Sequence, residues 1–151
     1  MKEKKASILI VDDDESICRT MSLILENEGF TTQIAYTGKE ALERSKTAFF
    51  NVALLDIRLP DIEGTKLLKK LNQTAPQTIR IMVTGYPNLD NAIEALNGGA
   101  DAYLMKPVNP DDLIKIIRDK LQQQQKAETV TEESITTFLE ARTKQLLDEL
   151  R

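Results

Sequence analysis

Short apolar runs alternate with helically spaced apolar residues along this chain. Ser7-Ile-Leu-Ile-Val11 is compact and rich in branched side chains, and it stops at Asp12. From Ser16 to Glu28, Ile17, Met21, Ile24 and Leu25 recur at helical spacing, and Gly29 supplies a C-terminal stop. Thr31 to Tyr36 reads as a strand and Lys39 to Lys46 as a short helix. Val52-Ala-Leu-Leu55 is a buried-type strand ending at Asp56, and Glu63 to Asn72 carries Leu67, Leu68 and Leu71 on one helix face. Thr78 to Val83 is a strand ending at Thr84-Gly85. Leu89 to Leu96 is a helix closed by Gly98-Gly99. Asp101 to Met105 is a last strand ending at Lys106-Pro107. Pro110-Asp111-Asp112 then opens a helix bearing Leu113, Ile114, Ile117 and Leu121.

Such a β-then-α alternation predicts an α/β fold, a doubly wound parallel sheet with helices on both faces and right-handed crossovers. Strands without polar alternation fit a sheet covered on both sides. The alternating unit spans 1–122. A polar tract over 123–130 reads as a linker, and Thr129 with Glu132 has the spacing of a capping box. Residues 131–151 read as an amphipathic helix with Ile135, Phe138, Leu139, Leu146, Leu147 and Leu150 along a stripe broken by Arg142. That stripe suits packing back on its own domain, or pairing with a partner or a second copy.

Composition narrows the function. The chain has 151 residues, 41 % hydrophobic and 29 % charged, which suits one packed domain with an appendage. Its net charge of −4 lacks the basic excess of a nucleic-acid binder. Residues 126–151 hold four basic against six acidic side chains, so the tail is a poor DNA-binding element. The single cysteine, Cys18, excludes an intramolecular disulfide and fits a reducing compartment. The apolar run behind the basic start is too short for a signal core or a membrane span. A cytoplasmic protein with no membrane partner is expected. There is no histidine, hence no histidine base, metal ligand or phosphohistidine of its own.

In an open α/β sheet, functional groups gather at the carboxyl ends of the strands. Here those ends carry Asp12-Asp13-Asp14, Asp56, Thr84 and Lys106. An Asp after a strand is usually a turn or helix cap, and a lysine before proline is usually solvated. Acids, hydroxyl and lysine converging on one edge are better explained as a ligand site. Asp12, Asp13 and Asp56 would repel one another unless a hard divalent cation joined them, and an all-oxygen set suits Mg²⁺ (or Mn²⁺). Asp56 can then act as a nucleophile toward a phosphoryl group. Phosphoryl transfer needs its three equatorial oxygens neutralised: by the metal, by the Lys106 ammonium, and by the Thr84 hydroxyl with the Gly85 backbone N–H.

Four motifs carry a resemblance. They are Ile8-Leu-Ile-Val-Asp-Asp-Asp-Glu-Ser16, Leu54-Leu-Asp-Ile-Arg-Leu-Pro-Asp-Ile-Glu-Gly64, Thr84-Gly85, and Gly99-Ala-Asp-Ala-Tyr-Leu-Met-Lys-Pro107. Together they resemble the CheY-like receiver domain of response regulators in two-component signal transduction, over about residues 5 to 122. The resemblance implies a flavodoxin-like (βα)5 fold with strand order 2-1-3-4-5. It implies Asp56 as phosphoacceptor, Asp13 as a direct metal ligand, Asp12 as a ligand through water, and the Arg58 backbone carbonyl as a further ligand. Thr84 and Lys106 would sense the phosphoryl group, and Tyr103 would be the aromatic switch that follows Thr84 inward. The Lys106-Pro107 bond would be cis.

With no histidine in the chain, the phosphoryl donor must be another molecule; the resemblance names a sensor histidine kinase or histidine phosphotransfer protein. The expected output is contact with a downstream protein target or a second copy rather than DNA. The only catalysis expected is the chain's own phosphorylation and dephosphorylation. Arg58 and Tyr86 are bulkier than the small or polar residues common at those positions, and are expected to slow loss of the phosphoryl group.

Three other readings compete. A haloacid-dehalogenase-like phosphatase would need a second Asp where Arg58 stands. A nucleotide or flavin module would need a glycine-rich loop where Asp12-Asp13-Asp14 stands. Within the family, the chain is either a free-standing regulator, which the short remainder favours, or the receiver part of a longer protein.

Overall fold

The computed structural model describes residues 5–85 and 89–150. The chain divides into two compact units at Ile117 and Arg118. In the first, five strands alternate with helices: β1 (Ser7–Val11), α1 (Glu15–Asn27), β2 (Thr31–Ala35), α2 (Gly38–Thr47), β3 (Val52–Leu55), α3 (Gly64–Thr74), β4 (Ile79–Thr84), α4 (Leu89–Asn97) and β5 (Ala102–Met105). The helix α5 (Pro110–Glu149) begins in this unit and supplies the second.

All neighbouring strands pair in parallel, in the order β2-β1-β3-β4-β5. The flavodoxin-like expectation is met. The centre of the sheet is fully covered: every residue of β3 and β4 is buried, and Ile8 to Val11 are buried in β1. Continuous apolar strands are what two covered faces demand. One face buries Leu9, Val11, Ala53, Leu55 and Met82 with Leu67, Leu68 and Leu71 of α3. Burying each such side chain stabilises the fold by about 1.5–3 kcal/mol.

Helix starts and stops follow local chemistry. Asp14 caps α1 by accepting from Ile17 N at 3.1 Å, and Thr37 caps α2 by accepting from Glu40 N at 3.1 Å. Gly29 takes φ +96°, the left-handed conformation that ends α1 at low steric cost.

The segment 123–130, read as a linker, is helical and lies inside α5. Its glutamines, Lys126, Ala127 and Glu128 are good helix formers, and no glycine or proline interrupts them. Polarity marked it as solvated, not as unstructured. In the second unit Ile135, Phe138, Leu139, Leu146, Leu147 and Leu150 are exposed. No helix among the described residues is long and apolar enough to cross a membrane.

Candidate functional site at the carboxyl edge of the sheet

The sheet places the chemistry-bearing residues by extending its main-chain ladder one bond past the strands. Asp12 N donates to Ala35 O at 3.1 Å, Asp56 N to Val11 O at 3.0 Å, and Lys106 N to Thr84 O at 2.8 Å. Asp12, Asp56 and Lys106 are therefore fixed by strand pairing rather than by loops. Ligand oxygens of Asp12, Asp13 and Asp56 lie within 4.8 Å of one another. Asp12 and Asp56 are buried, whereas Asp13 faces solvent. This donor set, oxygen-only and partly open, fits a hard divalent cation that keeps some of its water.

Lys106 reaches into the acidic group. Its Nζ lies 2.6 Å from Asp12 Oδ2 and 3.4 Å from Asp56 Oδ2. The pairing is unequal, and the difference shows in the titration of each partner. Burial pushes the Asp56 carboxyl above its ordinary value, and the Asp12 charge pushes it further; Lys106 and the Arg58 N–H pull back less strongly. Burial alone would lower Lys106, but its hydrogen bond and charge contact with Asp12, reinforced by Asp56, leave it raised. Both members of one ion pair thus shift upward, because the lysine's charge is spent chiefly on Asp12. Asp56 is left as a buried carboxylate with incomplete compensation, a condition proteins relieve with a metal, a proton or a bound group.

The remaining expected residues stand nearby. Thr84 is fully buried at the end of β4, beside Met105 in the sheet register. Gly85 follows it, and a Cβ built there would meet Lys106 at 3.8 Å in ordinary contact. Arg58 is exposed, and its N–H donates to Asp56 Oδ1 at 3.4 Å. Tyr103 pairs with Met82 across β4 and β5 and packs against the apolar core. Its hydroxyl is buried and finds no hydrogen-bond partner among the described residues, and burial raises its pKa. The Lys106-Pro107 bond is cis, as expected. Tyr86 lies outside the described residues. Cys18, whose Sγ donates to Asp12 O at 3.3 Å, has its thiol pushed up to about 12 by burial and by Asp12. It is a packed, unreactive neighbour.

Two arrangements were not read from the sequence. The preference of Lys106 for Asp12 over Asp56 depends on side-chain reach across the sheet, which spacing along the chain does not encode. Asp61 belongs to a quoted motif, yet its contact is with α2: Oδ1 accepts from Gly38 N and Oδ2 from Lys39 N, both at 2.9 Å. Those hydrogen bonds lower its pKa, that from Gly38 foremost.

Comparison with known proteins places the fold among solved receiver domains. The receiver domain protein (CheY-like) from Methanospirillum hungatei JF-1 is similar at 51 % identity and TM-score 0.80, over 82 % of this chain and 99 % of that one. A Burkholderia pseudomallei response regulator, solved with a phosphorylated aspartic acid, a calcium ion and citrate, is similar at 27 % identity and TM-score 0.73, over 82 % and 73 %. The uncharacterized transcriptional regulatory protein YkoG of Bacillus subtilis (strain 168) is 36 % identical over 90 % of this chain and 58 % of its own length. Regulatory protein AtoC of Escherichia coli (strain K12) is 38 % identical over 78 % and 25 %. The chain thus spans between about a quarter and 58 % of these curated relatives. Residues 8–118 match the family model of the response regulator receiver domain, and the chain belongs to that family.

Proposed function

We propose that the chain is a phosphorylation-controlled switch in which Asp56 accepts a phosphoryl group from the phosphohistidine of a sensor histidine kinase or histidine phosphotransfer protein. The observation that carries this reading is a buried, incompletely compensated Asp56 within 4.8 Å of two further acids and beside Lys106. The phosphorylated aspartic acid of the Burkholderia relative supports the same assignment. Asp13, Asp56 and the Arg58 carbonyl would hold Mg²⁺ (or Mn²⁺) directly, and Asp12 through water. When bound, the cation supplies charge neutralisation for the carboxylates and for one phosphoryl oxygen.

A carboxylate oxygen of Asp56 attacks phosphorus as the donor N–P bond breaks. The leaving imidazole nitrogen keeps the electron pair and takes up a proton. Lys106 turns from Asp12 to a second phosphoryl oxygen, and Thr84 Oγ1 with Gly85 N–H donates to the third. Movement of Thr84 opens space for Tyr103, whose buried hydroxyl gains a partner by moving. The face of α4, β5 and the first turns of α5 is thereby remodelled as a shift between two packings.

Incubating the protein with acetyl phosphate or a phosphorylated kinase, then resolving phospho-protein by gel or mass, tests the reading. One phosphoryl group is expected, dependent on Mg²⁺ and abolished by Asp56→Asn. Label that persists in Asp56→Asn would refute it. Turnover of p-nitrophenyl phosphate should be negligible.

Output through contact with a target protein or a second copy suits the acidic net charge. The naming of YkoG as a transcriptional regulatory protein favours a second reading, in which a receiver of this kind controls DNA binding. Light scattering with beryllofluoride, alongside DNA gel shifts, separates the two. A mass change without a gel shift supports protein contact; a phosphorylation-dependent gel shift supports the second.

A further inference from the structure

Asp61 lies in the loop between β3 and α3, five residues past Asp56, and contributes no oxygen to the acidic cluster. Its two carboxylate oxygens instead take the Gly38 and Lys39 N–H groups at 2.9 Å each. These are the first two N–H groups of α2, and Thr37 takes the Glu40 N–H at 3.1 Å. The start of α2 is thus capped from within by Thr37 and from across the fold by Asp61. A carboxylate there also meets the positive end of the helix.

The same loop is fastened elsewhere. Gly64 N donates to Ile57 O at 2.6 Å, and Arg58 forms an antiparallel bridge with Glu63. Ile62 packs so closely on Gly38 that a Cβ at residue 38 would overlap its side chain. Arg58, whose N–H already reaches Asp56 Oδ1, is therefore held between a closed loop base and a loop tip bonded to α2. A cap serving α2 alone would need no such closure of the loop.

We infer that Asp61 is a positioning residue for the metal side of the pocket: by capping α2 it holds the 57–63 loop, and with it the Arg58 main chain, in register with Asp12, Asp13 and Asp56. This rests on the reading of that pocket as a divalent-cation site. Loss of a residue that orients a ligand lowers metal affinity by about tenfold or more.

The test is calorimetric titration of Mg²⁺ into the full chain, with melting in EDTA measured in parallel, for wild type, Asp61→Ala, Asp61→Asn and Gly38→Ala. Asp61→Ala is expected to raise the Mg²⁺ Kd about tenfold. Asp61→Asn keeps one acceptor oxygen and should rescue part of that loss. Gly38→Ala, which wedges Ile62 while leaving Asp61 in place, should raise the Kd as well. A lowered melting temperature with Kd within about twofold of wild type would mean a structural cap only and overturns the inference. If Asp61→Ala does not fold, Asp61→Asn and Gly38→Ala decide by the same criterion. Wild-type Mg²⁺ binding that survives both Asp13→Asn and Asp56→Asn overturns the cation-site reading, and this inference with it.

Discussion

Gly64 offers the sharpest test of how Asp56 is held. It opens α3, and a Cβ there would lie 2.6 Å from Ile57 Cα and 3.0 Å from the Asp56 carbonyl carbon, overlapping the Asp56 carbonyl oxygen. These are backbone atoms, so no side chain can rotate away. Restoring ordinary carbon contact needs a displacement of about 1 Å. That displacement breaks the 2.6 Å bond from Gly64 N to Ile57 O, worth about 1 kcal/mol. Overpacking adds about 1–3 kcal/mol. The reduced freedom of the unfolded chain returns up to about 1 kcal/mol. Gly64→Ala should therefore cost about 2 kcal/mol, a large share of a typical stability of about 5–15 kcal/mol. The melting temperature should fall by roughly 6–10 °C. Urea unfolding followed by circular dichroism measures this, with an unchanged denaturant slope marking a true stability change. Gly85→Ala is the control, because its Cβ would meet Lys106 only at ordinary contact distance. A Gly64→Ala protein as stable as wild type, or a Gly85→Ala protein equally destabilised, refutes the claim that Gly64 is required by close approach to the main chain of Asp56 and Ile57.

Other expectations follow from the same geometry. Without divalent cations, Asp56→Asn should stabilise the fold, and increasingly so as pH rises. The folded pKa of Asp56 is raised above its ordinary 3.8, so ionised Asp56 costs stability, and that cost grows through the window from 3.8 up to the folded value. Melting curves of both proteins across pH check it; a difference that shrinks with rising pH contradicts the sign. Asp14→Ala should cost about 1 kcal/mol by removing the cap of α1, and an unchanged denaturation midpoint would remove that role. Arg58→Ala and Tyr86→Ala should shorten the lifetime of phospho-Asp56. Equal or longer half-lives in a timed acid-quench assay would sink the idea that bulk shields the acyl phosphate.

Much of the fold was legible because its signals are local. β1 and β3 match the expected bounds, since each apolar run ends abruptly at an aspartate. The edge that gathers Asp12, Asp56, Thr84 and Lys106 follows from parallel topology alone: every strand delivers its last residue to the same side. The illegible parts are those in which two distant segments choose each other. Nothing near Gly38 announces that Asp61 will cap it, because the bond closes only when the loop between β3 and α3 reaches the start of α2. Likewise Lys106 could have favoured either buried acid. The tract at 123–130 is polar yet helical, because Gln, Lys, Ala and Glu favour helix when nothing interrupts them.

The unequal grip of Lys106 has a wider meaning. With Nζ 2.6 Å from Asp12, the pocket carries its own tethered counterion. A cluster of buried acids that relied on dissolved metal would make folding hostage to the ionic supply of the cell. Here the lysine is held by the fold itself and offsets part of the repulsion among the acids without any dissolved ion. A covalently attached cation thus meets the charge of Asp12 first, and the charge of Asp56 is left largely for whatever binds beside it.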